Sequence, residues 1–304
     1  MNKVNAKKKL LVTGASGLLG WNICRVALKK FEVIGVSNTK PLVFEGVQNE
    51  KCDITRYDDL RGLFMRINPD AVVHAAAIAA PNVCQEHPSE SGKVNVGASI
   101  AIAGLCSDLH LPCAFTSTDL VFDGNAAPYD EAQPVSPISI YGEQKVKAEY
   151  GMRARHEDLR ICRMPLMYGD APGGAQSFIQ PFIKAMREGK ELTLFLDEYR
   201  TPVSTVNAAQ GILLALDNAP GIFHLGGRES ISRYDFGVRL ACALNISDAR
   251  LKAVHQKDVV STAPRPLNVS LDSSKAYALG YNPGSIDEEL NKLDCVMVSR
   301  NRTY

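Results

Sequence analysis

Short apolar runs alternate with longer stretches of helical spacing through the first half of the chain. Residues 9–13, 32–37, 71–76 and 113–117 have the length and composition of strands. Residues 18–30, 57–67, 89–109 and 141–156 have the length and spacing of helices. Such alternation predicts a parallel sheet covered by helices on both faces, and right-handed crossovers make it doubly wound. Ligands are then expected beyond the carboxyl ends of the strands.

After an expected strand at 159–163 the pattern changes. A Gly/Pro-rich stretch at 169–174 leads into a helix around 177–188 and a strand at 192–196. A helix at 206–216, a strand at 221–225, a helix at 234–244 and a Pro/Ser-rich segment at 261–274 follow. The expected organisation is a nucleotide-binding α/β core over residues 8–165, to which a segment near 203–222 returns. A smaller α/β C-terminal lobe, formed by 166–202 and 223–304, would hold the substrate. No internal repeat is present.

Composition narrows the partners. With 34 basic and 33 acidic residues the formal charge is +1, so no global field favours nucleic acid or an anionic membrane. The cysteines, at 24, 52, 84, 106, 113, 162, 242 and 295, form no C-x-x-C pair and no zinc-type cluster with histidine. No metal is expected. Cys162 and Cys242 sit in short apolar runs, as small core residues do in a reducing compartment, which predicts a cytoplasmic protein. The basic start is followed by only three apolar residues before Gly14, too few for a signal peptide, and residues 1–7 are read as a disordered leader.

The first strand runs into Gly14-Ala15-Ser16-Gly17-Leu18-Leu19-Gly20 and then into a helix. Small residues allow a pyrophosphate to approach the backbone, and the helix start offers free N–H groups and partial positive charge. A dinucleotide is therefore expected on Gly14, Ser16, Gly17, Leu18, Leu19 and Gly20. The spacing G-x-x-G-x-x-G resembles that of the short-chain dehydrogenase/reductase superfamily, whose nucleotide-binding half is a Rossmann fold. That resemblance implies Asp53 and Ile54 beside the adenine and Ala75, Ala76 and Ala77 beneath the pyrophosphate and ribose. His74 alone reads as an interior histidine. An acid at the end of the second strand would hold the ribose hydroxyls of NAD; here Ser37, Asn38 and Lys40 stand instead, which favours NADP(H) over NAD(H).

Tyr141 and Lys145 lie four residues apart, on one face of an expected helix. A neighbouring ammonium favours phenolate and brings a tyrosine into working range for proton transfer. Thr118, just past a strand, has a hydroxyl suited to a substrate carbonyl. Thr118, Tyr141 and Lys145 together are similar to the catalytic set of the extended short-chain dehydrogenase/reductases. The resemblance implies hydride transfer from the nicotinamide to a ketone, with Tyr141 donating the proton. Thr118 would hold the oxygen, and Lys145 would lower the Tyr141 pKa and bind the nicotinamide ribose.

Ser117-Thr118-Asp119-Leu120-Val121-Phe122-Asp123-Gly124 resembles the S-T-D-Y-V-F-D-G of dTDP-4-dehydrorhamnose reductases. Tyr141 to Glu149 resembles their Y-G-x-x-K-x-x-x-E, Arg163 to Gly169 their R-x-x-x-x-Y-G, and Asp197 to Pro202 their D-x-x-x-T-P. Ala263 to Pro266 and Leu271 to Lys275 are similar to their A-R-P and L-D-x-S-K elements. This implies NADPH-dependent reduction of the 4-keto group of a nucleotide-linked 6-deoxy sugar, as in dTDP-rhamnose biosynthesis. Thr118, Asp119, Arg200 and Arg265 are expected on the substrate, the arginines facing its diphosphate.

Two departures stand out. Leu120 replaces the family's Tyr, and it also removes the Glu of the T-D-E used by the 4,6-dehydratases. Met164-Pro165-Leu166-Met167 replaces T-S-W-V and is similar to the related regulatory β subunit of methionine adenosyltransferase, which binds NADP and a partner protein. The alternatives are thus a non-catalytic NADP-binding subunit of that kind and an NAD-dependent nucleotide-sugar epimerase. A homodimer is a family expectation.

Overall fold

The computed structural model describes residues 7–40, 44–170 and 177–300, with side chains described to residue 293. The expected leader up to residue 6 and residues 171–174 of the Gly/Pro-rich stretch lie outside the described residues.

Six strands in chain order, β1 (Lys9–Thr13), β2 (Glu32–Ser37), β3 (Val47–Lys51), β4 (Ala71–His74), β5 (Cys113–Thr118) and β6 (Leu159–Met164), join the later strand Gly221–His224 in one parallel sheet. Their spatial order is 3-2-1-4-5-6, with Gly221–His224 outside β6. This is the doubly wound Rossmann arrangement, and its order reverses between β1 and β4, opening a crevice at their carboxyl ends. Every residue of β4, β5 and β6 is buried, as a sheet covered on both faces requires.

Alternation along the strands feeds two apolar layers. Leu10, Val12, Val33 and Val73 pack with the helices α1 (Leu18–Ala27) and Thr205–Leu216 on one face. Leu11, Ile34, Val72 and Phe115 pack on the other face with α2 (Tyr57–Ile67) and with helices from the chain between β4 and β6. Those that join this layer are α5 (Ser99–Asp108) and α6 (Ile140–Arg155), preceded in the chain by the short helices α3 (Pro81–Glu86) and α4 (Pro88–Gly92).

β3 has no counterpart in the expectations above. Only Val47 of Val-Gln-Asn-Glu-Lys is buried, so it carries no strand-like alternation; it forms because the free edge of β2 pairs with it. The single helix expected at 89–109 is interrupted by a π-helical turn, Lys93–Ala98, between α4 and α5. Cys242, expected in the core, is exposed, while Cys162 is buried.

The smaller lobe is built from short strand pairs, Leu192–Phe195 with Leu251–Val254 and Tyr199–Arg200 with Ile231–Ser232. Its own core gathers Tyr168, Ile183, Phe236, Leu240 and Leu290. Among the described residues, no helix is long and apolar enough to cross a membrane.

A buried polar network ties the sheet to α6. Arg163 on β6 donates to both Glu149 oxygens at 3.2 and 2.9 Å, and Ser117 on β5 donates to Glu149 at 2.5 Å. His224 lies 3.4 Å from Arg163, and its Nδ1 is 2.9 Å from the Tyr129 carbonyl. Removing one partner would strand a buried charge, so Arg163→Met should destabilise the fold by about 3–5 kcal/mol. The double variant Arg163→Met/Glu149→Leu should recover most of that loss, as denaturant unfolding midpoints would register.

Candidate active site

The glycine turn is built by backbone contacts that a side chain would block. Gly14 has φ +71°, and a Cβ there would lie 2.7 Å from the Ala76 backbone. At Gly20 it would lie 2.1 Å from the Gly14 carbonyl oxygen, so helix α1 starts directly on the turn. Gly17 caps α1 without a side-chain hydrogen bond, which leaves the first N–H groups of the helix for a ligand. These features fit a dinucleotide pyrophosphate.

A cavity of about 460 Å³ opens beside this turn, lined by Gly14, Ser16 and Gly17, by Ser37, Asn38 and Thr39, by Asp53 and Ile54, and by Ala75 to Ile78. Asp53 is the single acid on its described wall, and its carboxylate is held by the Thr55 N–H and hydroxyl at 3.0 and 2.7 Å. Those bonds hold its carboxyl below the usual range. Lys40 is exposed and outside the lining. Leu18 faces a different cavity, and Leu19 is buried in the core against the sheet, so neither side chain lines this cavity.

His74 supports this wall from inside. Its Nδ1 lies 2.7 Å from the Thr13 hydroxyl and its Nε2 lies 2.9 Å from Ser99. Ser99 donates onward to the Asn95 carbonyl, so it accepts from Nε2, and a neutral ring satisfies the network. Burial, reinforced by the Lys145 charge, pushes His74 down to about 3. Asn95, in the π-helical turn, bonds both backbone groups of Ile78 and donates to Gln144 on α6 at 2.8 Å.

The second cavity, of about 350 Å³, lies between the sheet ends and the smaller lobe. Thr118 and Tyr141 both line it. Thr118 closes β5, and its hydroxyl accepts from the Leu120 N–H at 3.2 Å, starting a short 3₁₀ turn. Helix α6 begins at Ile140 after Ser139, whose hydroxyl accepts from the Gly142 N–H. A Cβ at Gly142 would lie 2.2 Å from the Leu120 carbonyl, so a glycine next to Tyr141 lets α6 meet that turn. Tyr141 is thereby brought against Thr118.

Burial pushes the Tyr141 phenol well above its usual range, and the Asp119 charge adds to this; the Thr118 hydrogen bond and Arg200 oppose it. The net shift is thus opposite to the lowering expected from Lys145. Lys145, one turn further along α6, is buried with its ammonium 4.1 Å from the Phe115 ring centroid. Burial lowers it to about 7, against the pull of Glu149.

Asp119 is fully buried and absent from the lining. Arg200 reaches the cavity wall with its Nε 2.6 Å and one Nη 2.5 Å from the Asp119 oxygens, so much of its fork is engaged within the protein. Arg265 stands on the wall with its side chain 41% exposed, 3.5 Å from Glu198 and 3.2 Å from Ser261. Arg233, Glu198 and Phe178 also stand on this wall, without a sequence signal that marks them as site residues. Arg233 opens a helix after a capping Ser232, a setting no motif marks. The departures Leu120 and Met164 to Met167 also line the cavity, giving it an apolar side.

The family model described as RmlD substrate binding domain matches residues 8–293. The methionine adenosyltransferase 2 subunit beta of Danio rerio is 27% identical over 289 residues, covering 90% of this chain and 86% of that protein. A probable low-salt glycan biosynthesis reductase, Agl14, of Haloferax volcanii is 28% identical over 290 residues, covering 93% of this chain and 96% of its own length. A dTDP-4-dehydrorhamnose reductase structure from Clostridium acetobutylicum superposes with a TM-score of 0.83 at 26% identity, covering 95% of this chain and 99% of that chain.

The buried neutral histidines carry a pH signature. His74 is held at about 3 and His224 at about 4, both by burial, below the ordinary value of 6.5. Between those values and 6.5 the unfolded chain binds the protons, so stability falls as pH drops through that window. Each histidine should contribute about 1.4 kcal/mol per pH unit there. Urea unfolding at pH 7, 6, 5 and 4.5 should show this slope, and a flat profile would contradict the neutral-ring network.

Proposed function

The chain belongs to the RmlD substrate-binding family, and on that premise we propose that it is an NADPH-dependent reductase. Its substrate is the 4-keto group of a nucleotide-linked 6-deoxy sugar. The observation that carries this reading is that Thr118 and Tyr141 face one cavity at the carboxyl end of β5, next to the dinucleotide cavity.

The bound cofactor supplies the hydride. Gly14, Ser16, Gly17 and Ala75 to Ala77 would hold its pyrophosphate and ribose, with Asp53 and Ile54 beside the adenine. Ser37 and Asn38, on a wall whose one described acid, Asp53, is held by Thr55, favour a 2′-phosphate and hence NADP over NAD, with Lys40 nearby at the surface. The raised phenol pKa of Tyr141 keeps its proton until an alkoxide develops on the substrate, and Tyr141 then donates it. Thr118, whose hydroxyl lies 3.3 Å from Asp119 and also bonds the Tyr141 phenol, supports the same oxygen. The family resemblance assigns the nicotinamide ribose to Lys145, which is buried outside the described lining of both cavities. Arg265, at the open side of the wall, faces the diphosphate, while Asp119 acts through Arg200 and Thr118 from beneath.

A second reading is favoured by the identity to the methionine adenosyltransferase β subunit: a non-catalytic NADP-binding subunit. NADPH oxidation that requires a dTDP-4-keto-6-deoxy sugar supports the reductase; NADP binding without turnover on any keto sugar supports the subunit. In the first case Tyr141→Phe should lower kcat by about 10²–10⁴-fold and leave NADPH affinity unchanged, since the general acid is lost and the cofactor turn is not. Retained turnover would remove Tyr141 from the mechanism.

A further inference from the structure

The wall of the second cavity contains a cation that the protein itself does not fully satisfy. Arg233 lines the cavity, and its side chain is 15% exposed. Among the described residues its Nη1 is buried without a hydrogen-bond partner, and its Nε lies 3.7 Å from Glu198, beyond hydrogen-bond reach. Glu198 Oε2 is likewise buried without a hydrogen bond among the described residues, 3.5 Å from Arg265. The guanidinium is fixed in place by aromatic rings, 4.4 Å from the Phe178 centroid and 5.3 Å from that of Phe182. It is therefore preorganised and short of acceptors.

Charge points to the missing partner. Arg200, Arg233 and Arg265 meet on one wall, against Asp119 and Glu198. Arg200 is largely neutralised by Asp119 through two short bonds, so the uncompensated charge rests on Arg233 and Arg265, which share Glu198 over distances of 3.5 Å or more. Burial and the fields of Arg200 and Arg265 bring Arg233 down to about 10, so it stays charged at neutral pH. A buried, incompletely paired guanidinium is costly unless an anion completes it.

We propose that Arg233, with Arg265, is the anion-recognition element of this cavity and takes a phosphoryl oxygen of the substrate diphosphate, the part the sequence assigns to Arg200. The inference rests on the nucleotide-sugar reading for the identity of its ligand, but its test does not require turnover. Calorimetric titration of inorganic pyrophosphate into the full chain, with NADP present to fill the glycine turn, measures the site directly. The parent protein should bind, and Arg233→Gln should bind about 10- to 100-fold more weakly, the range expected for losing a hydrogen-bonded charge. Equal affinity in the two proteins, or no binding to the parent, would overturn the inference. If Arg233→Gln melts below the assay temperature, Arg233→Lys asks the same question, because a point charge cannot reproduce the planar fork: a fivefold loss supports the site and parity overturns it. Where a keto sugar is turned over, Arg233→Gln should raise KM with kcat nearly unchanged. Arg233-dependent pyrophosphate binding without any turnover would defeat the reductase reading and leave this site standing.

Discussion

The buried pair of Asp119 and Arg200 joins the two halves of this molecule where its chemistry is gathered. Asp119 directly follows Thr118 at the end of β5, and Arg200 belongs to a two-residue strand of the smaller lobe. Burial, with the Glu198 charge, raises the Asp119 carboxyl, and Arg200 opposes that rise from 2.5 and 2.6 Å. A charge so deeply desolvated persists only with a partner of this geometry. The lobe is thereby held against the sheet end, and the space left between them is the second cavity. The same two charges act on the Tyr141 phenol with opposite sign, so the pair that fixes the architecture also bears on that phenol's pKa.

Close backbone approaches do the remaining positioning. Gly20 against the Gly14 carbonyl sets α1 on the glycine turn, Gly14 against Ala76 closes that turn over the β4 loop, and Gly142 against Leu120 seats α6 on β5. A fourth contact, Gly227 against the Pro202 carbonyl at 2.1 Å for an added Cβ, brings together the segments after Gly221–His224 and after Tyr199–Arg200. Together these place the cavity beside the glycine turn and the Thr118–Tyr141 wall at adjacent strand ends. His74, Asn95 and Gln144 then connect the floor of the first cavity to the helix that supplies the second.

The arginines illustrate how position changes chemical role. Arg200, Arg233 and Arg265 carry the same group, yet one is committed to an internal carboxylate, one is fixed between aromatic rings, and one is half exposed at the wall. Their availability to a ligand follows from their neighbours, not from residue type.

Strand and helix periods, the glycine spacing and the Tyr141–Lys145 interval are local properties, so they were readable along the chain: β1, β2, the α2 helix and the glycine turn lie where the sequence predicts them. β3 was not, because Val47 is its one buried residue and the edge of β2 supplies the rest of its stability. The π-helical turn was likewise hidden within an uninterrupted helical pattern. Arg233 could not be found from spacing, since its significance depends on Glu198, Phe178 and Arg265, which come from distant parts of the chain. Nor could Asp119 and Arg200 be recognised as partners 81 residues apart. The sequence by itself determined most of the central sheet and the glycine turn, because these depend on near neighbours. Only the tertiary structure decided which charges are spent inside the protein and which face the cavity, because pairing and desolvation arise from residues brought together by folding.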